Sequence, residues 1–478
     1  MYPGTLLYRF LALFALVCSI HCIVWYEPEQ VHIAIGESSD QMIIVWNTVN
    51  DTKESIVMYG PGGKLDQTAS GSRTKFVDGG KEKRVQFVHK VVLKGLSPET
   101  EYSYTVGSSL GMSDKFAFKT WPLGEKWSPR IAMYGDLGNE NAQSLPRLQV
   151  EAEQGMYDAI LHVGDFAYDM MEDNARVGDN FMRQIEPLAS RMPYMTCPGN
   201  HEEAYNFSNY RNRFWMPRDG NKQMFYSFTM GPVRFLSLAT ELWFFPEYGL
   251  TPILKQYRWI EETLQEANKP ENRAKHPWII TFGHRPMYCN NDDDDDCTHH
   301  ESLVRIGIPI VHLLGWEKLF MKYGVDLAVW AHEHSYERMW PVYDREVMNG
   351  SIKEPYKNPK APVHIVTGSA GCREIHDKFK SNPHEWSAFR SLDYGYTRMH
   401  VINATHLYLE QVSDDKKGQI IDKMTLIKES HGPYQYPLRD VTPKGDPVQK
   451  LWKTWGKYID AASRNRSPPK NVFNWKIQ

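Results

Sequence analysis

Net charge is almost absent from this chain: 55 lysines and arginines face 58 aspartates and glutamates over 478 residues, leaving −3 with histidine neutral. That balance argues against a partner held mainly by electrostatics, nucleic acid above all. Long apolar runs are lacking too. "LALFALVCSI", after Arg9, is too short to span a bilayer comfortably, and no later segment is long enough either, so no membrane span is expected. The polar end "NVFNWKIQ" is unlike a lipid-anchor tail. Cysteine is scarce, six in all, and four if Cys18 and Cys22 leave with a signal. What is present, 41% hydrophobic and 13% aromatic residues, belongs to a folded globular protein long enough for two domains or three.

A basic flank, a short apolar core and then "HC" before the polar "EPEQ" form the layout of a secretory signal, with cleavage expected near Cys22. Residues 1–22 are therefore read as a signal peptide, and the mature protein is expected in the secretory pathway, secreted or lysosomal. Cys289 and Cys297 flank an acidic loop and are candidates for a small disulfide in an oxidising compartment. Cys197 and Cys372 each sit beside a Gly-containing turn, and pairing or burial as thiols stays open. Sequons at Asn50, Asn206, Asn349 and Asn403 are candidate glycosylation sites, with Asn465, followed by Ser-Pro, the weakest of the set.

Residues 24–122 read as short strands rich in β-branched and aromatic residues, separated by polar turns, which predicts an all-β sandwich. Trp46 in an early strand and "LSPETEYSY" (96–104) resemble the fibronectin type III pattern, in which a Tyr locks a corner. A passive sandwich packed on its neighbour is the main expectation for this domain, and a ligand-binding module the other. "WPLGEKWSPR" (121–130) reads as a linker. From 128 to 436 apolar runs alternate with helical patterns, predicting an α/β domain. "FYSFTMGPVRFLSLA" reads as a hairpin about Gly231-Pro232. Thr251-Pro252 opens a helix with Ile253, Tyr257, Ile260 and Leu264 on one face, and another helix runs through Val311, Leu314 and Phe320 to stop near Gly324. Residues 437–478 form a tail without a readable motif, its tryptophans assigned to packing.

Each buried run of the second domain ends on polar residues in a tight turn. "YGDLGN" gives Asp136; "VGDFAYD" gives Asp165 and Tyr168; "PGNHEE" gives Asn200 and His201; "FGHRP" gives His284; and "WAHEHSYER" gives His332 and His334. A lone Gly-Asp is more often a turn, and a lone His more often a satisfied side chain. Five consecutive strand ends, however, can converge on one crevice in an α/β sheet. Pooled, they offer carboxylate, amide, phenol and imidazole donors that suit iron, zinc or manganese without thiolates, and enough of them for two metals sharing a carboxylate.

The ordered series "GDLG", "GDFAY", "GNHE", "GHRP" and "AHEH" resembles the metallophosphoesterase superfamily and, within it, the purple acid phosphatases in their long animal form, over roughly residues 24–425. The resemblance implies a fibronectin III-like domain followed by a layered α/β/β/α metallophosphoesterase domain. It also implies a secreted acid phosphatase that hydrolyses phosphomonoesters by attack of metal-bound hydroxide at a dinuclear Fe(III)–M(II) centre, M being iron, zinc or manganese. Ferric iron would be held by Asp136, Asp165, Tyr168 and His334, and the divalent ion by Asp165, Asn200, His284 and His332, with Asp165 bridging. The assignment is chemically coherent, because a phenol of pKa about 10 ligates well only where a strongly Lewis-acidic ion drives its deprotonation. One departure is Ala331, where the family usually has Gly before the last His pair, which puts local strand packing in question.

His201 is implied as a catalytic and substrate-binding residue that donates a proton or hydrogen bond to the leaving oxygen. His300, with His299 beside it, is matched to the family's phosphate-contacting histidine on the loop "CNNDDDDDCTHHES" (289–302). The run Asp292 to Asp296 is expected to be a solvated loop tip, with a calcium or cationic-partner contact as the other reading. Small phosphorylated compounds or phosphoproteins are the expected substrates. The rival readings are a phosphodiesterase or nucleotide pyrophosphatase on the same scaffold, and an extracellular binding protein with a degenerate enzyme domain. Oligomeric state is not legible.

Overall fold

The computed structural model describes residues 25–435 apart from 220, 221, 223, 310 and 311. The expected signal (1–22), Asn465 and the 437–478 tail with its tryptophans lie outside the described residues. The N-terminal domain is all β. Strands Glu29–Ile35, Met42–Thr48, Val85–Leu93 and Ser72–Val77 form one sheet; Gln67–Ser70, Ile56–Pro61, Glu101–Ser108 and Gly111–Met112 form the other, with Phe116–Lys119 also paired to Glu101–Ser108. The expected corner is made: the Tyr102 hydroxyl accepts the Ser97 N–H at 3.0 Å.

"MIIVWNT" (42–48) is buried at every position rather than at alternate ones. Alternation persists all the same. Met42, Ile44 and Trp46 enter the sandwich core, while Ile43 and Val45 point the other way into the core of the second domain. The outer face of this sheet is thus an interface, packed on the helix Glu172–Ala189. Polar ties reinforce it: Val31 N–H to Glu186 (2.7 Å), Gln86 to the buried Asp179 (2.8 Å), and Tyr104 O–H to the Ser190 carbonyl (2.7 Å). The sandwich packs on its neighbour, as the main expectation for it had it.

The second domain is α/β and contains two mixed sheets that share one core. In the first, Arg130–Tyr134, Ala159–Val163 and Tyr194–Cys197 run parallel, their crossovers carrying the helices Leu145–Glu153 and Glu172–Ala189. In the second, Val233–Leu238, Trp278–Gly283, Leu327–Trp330 and Val363–Thr367 run parallel, with the helices Thr251–Ala267 and Glu317–Tyr323 between them. The hairpin about Gly231 forms as read. The helix expected from Val311 begins only at Glu317, because Leu313–Leu314 pair with Gly307–Ile308 as a short hairpin; Gly324, at φ 64°, ends the helix. All seven parallel strands therefore point their carboxyl ends along two sheets that meet over a common core, and five of those ends carry the polar motifs.

Candidate metal centre

Asp136, Asp165 and Asn200 follow the three parallel strands of the first sheet, while His284 and His332 follow two strands of the second. Strand direction alone therefore delivers five side chains from two sheets to one crevice. Their donor atoms fall into two sets. In one, the Tyr168 hydroxyl lies 2.9 Å from Asp136 Oδ1 and 2.8 Å from His334 Nε2. In the other, His284 Nε2 lies 3.0 Å from Asp165 Oδ2, 3.1 Å from Asn200 Oδ1 and 3.2 Å from His332 Nδ1. Asp136, Asp165, Tyr168, His284 and His334 are almost fully buried.

The far nitrogen of each imidazole is also held. His284 Nδ1 donates to the Val163 carbonyl (2.9 Å) and His334 Nδ1 to the Ile375 carbonyl (3.1 Å), while His332 Nε2 lies against the Asp295 carboxylate (2.6 Å) and the Arg285 guanidinium (2.8 Å). An acceptor on one ring nitrogen leaves the other free to ligate, the usual arrangement around metal-bound histidine. The electrostatics agree. Burial opposes charge on His284, yet the Asp165 carboxylate outweighs it and pushes the imidazole up to about 10. Without a metal, a proton thus supplies the positive charge this set demands, and a metal would displace it. Burial first, then the charges of Asp136 and Asp165, push the Tyr168 phenol well above its ordinary pKa, so only a strong cation at that set would ionise it. These residues fit a pair of metal ions.

Close backbone approach explains the glycines of the motifs. A Cβ on Gly199 would lie 2.1 Å from Asp165 Oδ1, so any side chain there would push the carboxylate away. Gly135 answers the question raised by Ala331: a Cβ on Gly135 would sit 2.4 Å from the Ala331 methyl. That methyl fits because its neighbour across the sheets has none.

His201 stands at the edge of the site, its ring 4.2 Å from that of Tyr168 and its Nδ1 2.5 Å from Asp169 Oδ1, with Arg373 behind Asp169 at 3.3 Å. Burial alone would depress its pKa, but Asp169 and Asp165 push it up to about 9 in the metal-free protein; cations in the adjacent sets oppose that rise. His299 and His300 are not brought into the cluster. His299 turns to the Asp294 carbonyl (3.1 Å), and His300, two-thirds exposed, lies beside Glu301.

The loop instead contributes Asp295: the expected solvated tip holds for the exposed Asp292, Asp293 and Asp294 and needs correcting for Asp295 and Asp296, which are drawn inward. Asp295 bonds His332 and faces Arg285 (3.3 Å), whose guanidinium is also held by Glu241 (3.0 Å) and lies over the Phe244 ring. Asp296 accepts from Ser302 and Leu303. Glu202, from the same "GNHE" motif as His201, accepts backbone N–H groups of Asp165, Phe166 and Gly199 (2.8–3.0 Å) and ties two ligand loops together. Sequence reading missed Asp169, Glu202 and Arg285 as supports, although each adjoins a residue it had singled out. Cys289 and Cys297 are disulfide-bonded, whereas Cys197 and Cys372 are separate buried thiols. Asn50 and Asn403 are exposed, and Asn206 and Asn349 half-buried.

Two sheets delivering carboxylate, amide, phenol and imidazole donors to one crevice define a metal-dependent phosphoesterase with a dinuclear centre. Residues 129–336 match the family described as calcineurin-like phosphoesterase. Residues 28–120 match the purple acid phosphatase N-terminal domain, and 361–423 the iron/zinc purple acid phosphatase-like C-terminal family. The chain is 57% identical over 412 residues to acid phosphatase type 7 of Danio rerio (85% of this chain, 93% of that protein) and 52% identical over 411 residues to acid phosphatase type 7 of Homo sapiens (86% and 93%). Its fold is like that of a purple acid phosphatase from yellow lupin (Lupinus luteus) seeds, with TM-score 0.70 and 24% identity over 84% of this chain and 74% of that one. The chain belongs to the purple acid phosphatase family and is a metal-dependent phosphatase.

Proposed function

We propose that the protein is a secretory-pathway acid phosphatase, delivered outside the cell or to the lysosome, that cleaves phosphomonoesters with a ferric ion in the Tyr168 set and a divalent iron, zinc or manganese ion in the Asn200 set. The observation that carries this reading is the split of seven donors into two sets. One set holds two anionic carboxylates (Asp165 shared) and an ionisable phenol; the other holds a neutral amide and two imidazoles. When bound, two such ions supply Lewis acidity toward a phosphoryl oxygen and an acidified water. The chain's own part is positional. Asp136, Asp165, Tyr168 and His334 would hold one ion, and Asp165, Asn200, His284 and His332 the other. The Val163 and Ile375 carbonyls and Asp295 fix the three rings.

His201, oriented by Asp169, presents Nε2 to the crevice and is suited to donate a proton or hydrogen bond to the departing oxygen. Arg285, anchored by Glu241 and Asp295, supports His332 from behind. The Cys289–Cys297 bond and the N-terminal apolar run support an oxidising, secretory destination. The deciding experiment assays purified protein on a phosphomonoester and a bis-ester at acid pH, with metal stoichiometry and a visible spectrum. Expected are monoesterase preference, two metals per chain and a purple colour. Diester preference, or a colourless zinc-only protein, would overturn the substrate or the ferric assignment respectively. Recovery of the protein from medium with its N-terminus beyond Cys22 tests delivery.

A further inference from the structure

We propose that a third cation, Ca²⁺, binds beneath the disulfide-closed acidic loop, outside the dinuclear centre, between the carboxylates of Asp293, Glu333 and Asp377. Donor atoms of these three residues lie within 4.8 Å of one another. They come from three separate segments: the loop 289–297, the turn between the two strand-end histidines, and the segment that passes behind His334. Asp293 accepts the Asp295 N–H (3.2 Å), and Asp377 accepts the His334 N–H (2.6 Å).

Glu333 carries the argument. It is 1% exposed, yet its Oε2 has no hydrogen-bond partner among the described residues. Its Oε1 meets only the sulfur of Cys297 at 3.0 Å, which in a disulfide has no proton to give. Carboxylate oxygens of Asp293, Asp377 and Asp295 gather about it, with His332 beside Asp295. An oxygen buried without a hydrogen-bond donor is costly to leave unpaired, and a cation held between these carboxylates would pair it. All the donors are oxygens, which selects a hard cation over zinc or iron. Asp293 is exposed and leaves one side open to water, so six to eight oxygens can be assembled with loose geometry, as Ca²⁺ accepts and Mg²⁺ does not. The bound ion would tie the acidic loop to the strand end that bears His332 and His334, and so hold Asp295 in place on His332.

The test is Ca²⁺ titration of the fully metal-loaded enzyme, followed by calorimetry and by thermal unfolding, on the natural chain and on Asp293→Asn, Asp377→Asn and Asp294→Asn. Asp294 is 90% exposed and serves as the control for general surface acidity. One Ca²⁺ per chain is expected, with Kd on the order of 10⁻⁴ to 10⁻³ M as in extracellular sites, and a rise in Tm of about 2–5 °C at saturation. Asp293→Asn and Asp377→Asn should each weaken binding about 10-fold or more, and Asp294→Asn should leave it unchanged. No binding by the natural chain up to about 10 mM, or equal binding by all three variants, would overturn the site. The first result needs no variant to fold.

Discussion

Replacing Asp295 by Ala removes a carboxylate that never needs to touch metal or substrate, yet metal retention should fall. The Asp295 side chain is about one-quarter exposed, and its Oδ2 lies 2.6 Å from His332 Nε2. That bond orients the imidazole whose Nδ1 faces His284, so its loss frees ring rotation and lowers the basicity of the ligating nitrogen. Partners of this kind are worth roughly 10- to 100-fold in metal affinity, about 1.4–2.7 kcal/mol. Partial exposure, and the sharing of Asp295 with Arg285, place the expectation near the lower end, at about 10-fold for the Asn200 set. Asp295→Asn keeps an acceptor but loses the charge, so it should fall between the natural chain and Asp295→Ala. The assay is metal content against free chelator concentration, with Asp294→Asn as the control on the same loop. Chelation curves for Asp295→Ala that superimpose on the natural ones would refute the idea that His332 is held from behind.

Three further outcomes follow from the geometry. Tyr168→Phe removes the only phenol in either set and should bleach the visible absorption while iron remains measurable; an unchanged spectrum would remove Tyr168 as a ligand. Gly135→Ala drives a methyl to within 2.4 Å of Ala331 and should destabilise by about 1–3 kcal/mol, whereas the double change with Ala331→Gly should recover most of that loss in unfolding measurements. His32, buried in the domain interface, has its pKa lowered to about 4 by burial, which outweighs the carbonyl oxygens of Gln30 and Arg213 at its two ring nitrogens. Because the unfolded ring titrates near 6.5, stability should be intact above that pH and fall as pH drops toward 4, by up to about 3 kcal/mol. His32→Gln should flatten that part of a Tm-against-pH curve, and an unaltered slope would exclude His32 as its source.

The fold was legible where pattern and punctuation agreed. The sandwich strands, the hairpin at Gly231-Pro232 and the Thr251–Ala267 helix each combine a clear period with a turn or proline at the boundary. Legibility failed where one apolar pattern served two structures. The spacing of Leu314 and Phe320 is helical, but the first pairs in a short hairpin while the second lies in the helix, since backbone pairing with Gly307–Ile308 overrides the local period. The interface role of the first sheet was hidden for another reason. A strand buried on both faces looks merely hydrophobic, and "MIIVWNT" does not say which face meets its own sandwich and which meets the neighbouring domain.

Asp136, Asp165, Asn200, His284 and His332 could be read because each lies just past the end of a parallel strand, where sequence order and spatial convergence coincide. The groups that hold those ligands obey no such rule. The acceptors behind His284 and His334, the carbonyls of Val163 and Ile375, belong to backbone, so no letter in the sequence marks them. The run Asp292 to Asp296 shows the limit most sharply. Asp294 is 90% exposed, Asp295 orients His332, Asp296 accepts from Ser302 and the Leu303 N–H, and Asp293 faces the buried Glu333. Identical side chains on consecutive positions separate because the Cys289–Cys297 bond closes the loop over the strand end, so direction is set by loop path and not by composition. A charge run is read as a solvated surface only so long as nothing fixes which way each residue points, and here a disulfide does.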